Sequence, residues 1–351
     1  MFFNKRSHDS VPTLKIGNEK IMHVKSVKYL GDIIQESGSK ILLIEDRIKK
    51  GNAVIVNCFA LCNQLMMGIQ LINVALVLYK SVLIPTLFYN SQSWRNITIS
   101  NYKSFQTTQL KFLKRIMMAA RSTPNSFVFL EFGELPAEHI IHARQLSFLH
   151  HIHTLDDNDP VKKMYLEQQK LIFEKNWAND MKEVITKYNL HREVERIVSF
   201  SKEKWKKLIK NAIEKVAFRQ LTVESRSMTK TSTLIYEYFN PQPYLFYYPY
   251  KTACTIFKLR SKSFNCKVNQ ASAHNNLICR ACKEEEESQD HIINCPVIRK
   301  NGINLNSNDI NDINILKNKE HISKICQRYE EFEQFISDNG EIHEENELNI
   351  E

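Results

Sequence analysis

The chain has 351 residues, of which 25% are charged and 43% hydrophobic; that balance excludes a disordered or fibrous polymer and leaves room for two domains. The net charge is +9, but the stretch from Glu331 to Glu351 holds eight acidic residues and neither Lys nor Arg, so 48 basic against 31 acidic residues leave +17 on residues 1–330. A body that basic points to a polyanionic partner, most simply nucleic acid, with a merely soluble basic protein as the alternative.

Eight Gly and nine Pro are few for this length and favour long helices, so the fold class is mainly α. The start, "MFFNKRSHDS", has no apolar core followed by a cleavage site, so no signal peptide is expected. Next, "TLKIGNEKIMHV" puts two short apolar runs around Gly17-Asn18 and predicts a hairpin. "VKYLGDII" predicts a further strand with a glycine break. After Gly38 the period changes, and Leu42, Ile44, Ile48, Val54, Phe59 and Leu61 follow a mostly helical repeat. "NVALVLYKSVLIPTLFYNSQSW" is strongly apolar, with Pro85 as a kink or boundary; interrupted by Lys80, its most apolar part is too short to span a bilayer.

"ISNYKSFQTTQLKFLKRIMMAA" predicts a helix with Phe105, Leu110, Phe112, Leu113 and Ile116 inward and Lys111, Lys114 and Arg115 outward. The pairs Met66-Met67 and Met117-Met118 read as core filling. Pro136 suits a helix start, and "DDNDP" at 156–160 ends that helix. The helix between them carries His139, His142, His150, His151 and His153, which read as surface groups titrating or facing nucleic acid and not as a metal cluster. Residues 161–221 are charged and helical, with Trp177 and Trp205 as isolated anchors. Ser201 is a natural N-cap for a lysine-rich helix whose Lys202, Lys204, Lys206, Lys207 and Lys210 either track phosphates or form a solvated face. Trp205 among them is a stacking platform or a core anchor. "NPQPYLFYYPY" is too rich in proline and aromatics for a helix and reads as a connector or edge strand. The basic "IFKLRSKSF" follows, with Lys258, Arg260 and Lys262 suited to single-stranded or structured RNA.

"CRACKEEEESQDHIINC" then places Cys279, Cys282, His291 and Cys295 at C-x2-C-x8-H-x3-C. A C-x2-C pair turns two thiolates towards one ion; Asp290 is placed to cap a helix on which His291 and Cys295 share a face. Three thiolates and an imidazole fill the tetrahedral shell of Zn²⁺, so the site is structural, with no open position for hydrolysis. Residues 284–287 read as a solvated loop. The other cysteines (Cys58, Cys62, Cys254, Cys266, Cys326) are scattered, the usage of a reducing compartment, nuclear or cytoplasmic. Beyond 300 an Asn/Ile/Asp-rich linker, a last amphipathic helix and an acidic, disordered tail are expected.

Several stretches, in order, resemble the C-terminal part of a LINE-type (non-long-terminal-repeat) retrotransposon reverse transcriptase. "VKYLGDII" resembles the strand after the catalytic palm, near the primer grip; "LYKSVLIPTLFYNSQSW" and "QLKFLKRIM" resemble thumb helices. "TPNSFVFLEFGELPAEHIIHARQLSFLHHI" is similar to a thumb-to-connector segment, and "FKLRSKSF" with "NNLICRACKEEEESQDHIINCPVI" to the terminal helix and C-C-H-C knuckle. The resemblance implies palm-edge strands over 1–38, a thumb-like helical domain over 39–155 and a charged helical connector over 156–240. A basic helix and zinc knuckle follow over 241–300, then linker, last helix and tail over 301–351. It also implies phosphate contacts from the thumb-like Lys111, Lys114 and Arg115 and a template RNA or RNA/DNA duplex as partner; protein partners through the helical connector are a separate expectation.

The family's Phe/Tyr-x-Asp-Asp turn, which with an upstream aspartate binds two catalytic metal ions, has no counterpart here. The one Asp-Asp pair, Asp156-Asp157, reads as a helix-ending loop. The fingers and most of the palm are also expected to be missing, and the stretch that follows the knuckle, 296–351, is short and without a nuclease core. The expected function is nucleic-acid binding without polymerase chemistry. The alternatives are a zinc-stabilised protein-interaction module, or a fragment of a full polymerase.

Overall fold

A computed structural model describes residues 14–65, 71–171, 174–273, 276–299 and 319–338. The expectations for the stretch before Leu14, Met66-Met67, the linker at 301–318 and the tail after Asp338 lie outside them. The chain opens with strands β1 (Lys15–Ile16), β2 (Glu19–Lys20), β3 (Ser26–Tyr29) and β4 (Asp32–Gln35). Helices follow as α1 (Ile41–Leu65), α2 (Leu71–Leu78), α3 (Ile84–Leu87), α4 (Ile99–Ile116), α5 (Asn125–Phe132), α6 (Ala137–Thr154), α7 (Pro160–Lys170) and α8 (Trp177–Lys187). The rest are α9 (His191–Glu195), α10 (Lys202–Ser227), α11 (Tyr244–Tyr247), α12 (Tyr250–Arg260), α13 (Gln289–Asn294), α14 (Pro296–Arg299) and α15 (Lys319–Asp338). The fold is mainly α; among the described residues the only sheets are two antiparallel pairs, β1-β2 and β3-β4. No described helix is long and apolar enough to cross a membrane.

The chain folds as two compact units, each assembled from separate stretches: Met1–Gln64, Leu76–Gln109 and Leu135–Ala217 form the first, and Leu65–Ala75, Leu110–Glu134 and Phe218–Glu351 the second. In the first unit the hairpin at Gly17-Asn18 forms as expected, with Gly17 at φ +60°. "VKYLGDII", expected as one strand, is a second hairpin: Tyr29 pairs with Asp32, and Leu30 (φ 45°) and Gly31 (φ 86°) make the two-residue left-handed turn that matches strand twist. Arg47 of α1 anchors it by donating to Gly31 O (2.9 Å) and Asp32 Oδ1 (2.5 Å), with its guanidinium 4.6 Å above the Tyr89 ring.

On α1 the helical repeat holds but the buried face is Leu43, Ile44, Arg47, Gly51, Ile55, Cys58, Phe59 and Cys62, while Leu42 and Leu61 are exposed. A Cβ at Gly51 would lie 2.4 Å from Leu87 Cδ2, so any larger residue there would have to displace the buried Leu87 side chain. Pro85 marks a boundary: lacking an N–H, it cannot bond back to Ser81 O, and the turn before it widens to a π-helix over Tyr79–Leu83.

The first unit's main core gathers Leu146, Leu149, Ile152, Tyr165, Trp177, Met181, Trp205, Ile209 and Ile213. Trp177 and Trp205 are therefore parts of one core and not isolated anchors. Ser201 caps α10 through Lys204 N (3.3 Å), and Trp205, Ile209, Ile213 and Ala217 recur every four residues on its buried side. Asp159 caps α7, so "DDNDP" is an inter-helix turn, as expected of Asp156-Asp157.

In the second unit Leu110, Phe112, Leu113 and Ile116 are buried as predicted; Met117 is buried too, but Met118 is exposed and at φ 47°, because the helix has ended. Gly133 closes α5 at φ +60°, and a Cβ there would lie 2.6 Å from Asn240 C and Pro241 N. "NPQPYLFYYPY" is not a strand: it forms α11 and begins α12, whose Phe257 packs against Phe127 with ring centroids 4.8 Å apart. The last helix is amphipathic as expected. Its Ile322, Ile325, Cys326, Tyr329 and Phe332 are buried, mainly against α12, α13 and α14.

Candidate metal centre and nucleic-acid interface

The four knuckle residues converge. Sγ of Cys279, Cys282 and Cys295 and a ring nitrogen of His291 all lie within 4.8 Å of one another. A tetrahedral Zn²⁺ with bonds of about 2.0–2.3 Å needs donors about 3.3–3.8 Å apart, so small side-chain shifts close the shell. The local fold is a tight hairpin: Cys279 N donates to Glu285 O (2.7 Å) and Glu287 N to Leu277 O (2.8 Å). Lys283, at φ 61°, turns the chain after Cys282. Amides also serve the sulfurs, since Ala281 N lies 3.4 Å from Cys279 Sγ. The helix cap is Ser288, whose hydroxyl accepts from His291 N (3.0 Å); Asp290, expected in that role, lies inside α13, because the helix starts at Gln289.

The imidazole aims Nε2 at the cluster, 3.2 Å from Cys282 Sγ, and Nδ1 at Glu285 Oε2, 3.0 Å away. A hydrogen bond with Cys295, reinforced by burial, pushes the Cys279 thiol up, while the same bond lowers Cys295. Zn²⁺ bound here would supply cross-linking of hairpin to helix.

The acidic run is not wholly a solvated loop. Residues 284–286 are exposed, but Glu287 is buried: Arg280 grips its carboxylate through Nη2 (2.7 Å) and Nε (3.0 Å), and Lys267 N and Arg280 N donate to it at 3.0 and 2.9 Å. The Glu287 carboxylate thus ties the knuckle hairpin to the chain at 265–268. It was missed because a glutamate inside an acidic run carries no local sign of burial.

The expected nucleic-acid contacts separate into distinct classes. Lys202, Lys206, Lys207 and Lys210 are exposed along α10, with Lys210 3.7 Å from Glu214. Trp205 between them is 1% exposed and donates to Leu146 O (2.9 Å), so it is a core anchor and cannot stack on a base. Lys111 and Arg115 are exposed on α4, whereas Lys114 is half-buried, donates to Arg121 O (2.7 Å), and is lowered by burial to about 8. Lys258 and Lys262 are half-buried.

Arg260 is a correction. Its side chain is 0% exposed and its guanidinium is spent on Glu131, which is equally buried: Nη2 lies 2.9 Å and Nε 3.2 Å from Oε1. Tyr236 and Tyr244 also donate to Glu131, at 2.7 and 2.6 Å. Burial first, and then the Glu131 charge, hold both phenols far above their ordinary value. This charge cannot reach a phosphate.

Three of the five histidines are also corrected, while His151 is exposed as expected. His139, His142 and His150 are buried, not surface groups. The Tyr188 hydroxyl lies between Nδ1 of His139 (2.8 Å) and Nδ1 of His142 (2.9 Å), Tyr102 reaches His142 Nε2 (3.2 Å), and His150 Nε2 lies 2.9 Å from Phe200 O. Burial drives His142 down to about 4, so it is neutral at pH 7. These rings connect parts of the first unit's core.

Comparison with family models, curated proteins and solved structures gives no match. What the residues can do chemically therefore rests on their own geometry.

Proposed function

We propose that the chain is the C-terminal region of a LINE-type reverse transcriptase that binds nucleic acid, template RNA or an RNA/DNA duplex, without polymerase chemistry of its own. Zinc, held by Cys279, Cys282, His291 and Cys295, would stabilise the local fold of the second unit. The proposed setting is intracellular, nuclear or cytoplasmic.

The observation that carries the binding reading is the lysine row on α10. Lys202, Lys206, Lys207 and Lys210 are exposed together over little more than two helical turns, while the opposite face is fixed in a core. Long cations on a rigid helix are suited to backbone phosphates, which give affinity without sequence information. Lys111 and Arg115 would add a second stripe.

Fluorescence anisotropy with one RNA over a salt series tests this. Replacing Lys202, Lys206, Lys207 and Lys210 by Gln should weaken binding to unrelated sequences alike and flatten the log K against log[salt] slope by about 3. An unchanged slope rejects α10 as the interface.

A second reading, protein interaction, is favoured by the two hairpins. Ile16, Met22, Tyr29 and Leu30 are 63–82% exposed there, and two-stranded sheets are marginal on their own. Such a surface suits contact with further polypeptide, either a partner or the rest of a polymerase.

A further inference from the structure

Glu285 is exposed and sits in a run of four glutamates, yet one of its carboxylate oxygens is 3.0 Å from Nδ1 of His291. The opposite nitrogen of the ring, Nε2, is the one aimed at the sulfurs. A neutral imidazole has one N–H and one lone pair. If Nε2 gives its lone pair to a metal, the proton is on Nδ1 and donates to Glu285.

We infer that Glu285 is a positioning residue for the metal ligand His291: its carboxylate selects the tautomer, fixes the ring plane and makes Nε2 a stronger donor. The inference rests on the proposed zinc site. Both ends of the hydrogen bond are set by backbone. The Cys279 N to Glu285 O bond places Glu285 across the hairpin from the first ligand, and the Ser288 cap places His291 at the third residue of α13. Glu284 and Glu286 are exposed beside it and carry the same charge, so they separate a directed hydrogen bond from general negative potential.

The experiment measures zinc affinity of the full chain by competition with a chromophoric chelator. Glu285→Ala should weaken zinc about tenfold, the lower end for outer-shell partners of a metal-bound histidine, because Glu285 is solvated. Glu285→Gln keeps an acceptor oxygen and should fall between parent and Ala. Glu284→Gln and Glu286→Gln should stay close to the parent. In the zinc-loaded protein the His291 Nδ1–H should be an exchange-protected, low-field proton by NMR, and should lose that protection in Glu285→Ala. Unchanged affinity in Glu285→Ala overturns the inference, and so does an equal loss in all three Gln variants. A parent chain that takes up no zinc defeats the metal reading itself, which is a different result from a parent and Glu285→Ala that bind equally well.

Discussion

Replacing Glu131 by Gln tests the buried network of the second unit. The carboxylate receives Tyr236 at 2.7 Å, Tyr244 at 2.6 Å and Arg260 at 2.9 Å, with every partner inside the fold. Gln keeps the shape but removes the carboxylate charge that the guanidinium holds at 2.9 Å. Arg260 then stays ionised without that counter-charge or is pulled from its seat beside α5. Breaking a buried pair in this way costs about 3–5 kcal/mol. Arg260→Met alone should cost a similar amount by stranding the carboxylate, and the double variant should lose clearly less than the two singles added. The readout must come from the second unit. The three tryptophans, Trp94, Trp177 and Trp205, all lie in the first, so their fluorescence reports that unit. Urea unfolding followed by amide exchange of α5 and α12 reports the second directly. A loss below about 1 kcal/mol for Glu131→Gln would refute the reasoning, since that is the range of an exposed pair.

The parent chain should bind one zinc ion and Cys282→Ser should bind it far less; undiminished zinc in the purified variant rejects the ligand set. Stability of the first unit should fall with acid through His142, whose pKa burial lowers from 6.5 to about 4. The unfolded chain takes up that proton first, so the contribution is complete above about pH 6.5 and is lost progressively towards pH 4, about 3 kcal/mol in all. Tryptophan fluorescence in urea at stepped pH measures it, and an NMR titration of His142 near 6.5 contradicts it. Primer extension on an RNA template should stay at background with Mg²⁺ or Mn²⁺; reproducible extension by homogeneous protein overturns the proposal that the chain has no polymerase chemistry.

What was legible in the sequence was local. The C-C-H-C set could be read because its ligands fall within one short stretch, 279–295, and a turn and a helix deliver them. The buried face of α4 and the Ser201 cap are likewise matters of three- and four-residue spacing. The misreadings share a different cause. Arg260 looked like a phosphate contact because Glu131 lies 129 residues away, and His139 and His142 looked solvated because Tyr188 comes 49 and 46 residues later. On α1, apolar periodicity could not place Arg47 inside, since what admits it is Asp32 of a hairpin whose turn had been read as a break in one strand. A polar residue is buried by its partner, and periodicity does not reveal partners.

The seat of α15 has a further consequence. Tyr329 donates to Gln289 O (2.7 Å) and Arg328 donates to Ile293 O, so this helix is bonded to the two ends of α13, the helix that carries His291 and leads into Cys295. An ion bound at the knuckle would share the ordering of α13 with α15, one from each side. Thermodynamic reciprocity then applies: whatever factor zinc adds to the docking of α15, α15 returns to the affinity for zinc. Helix α15 would in effect be a remote part of the proposed metal site, felt there without touching an ion.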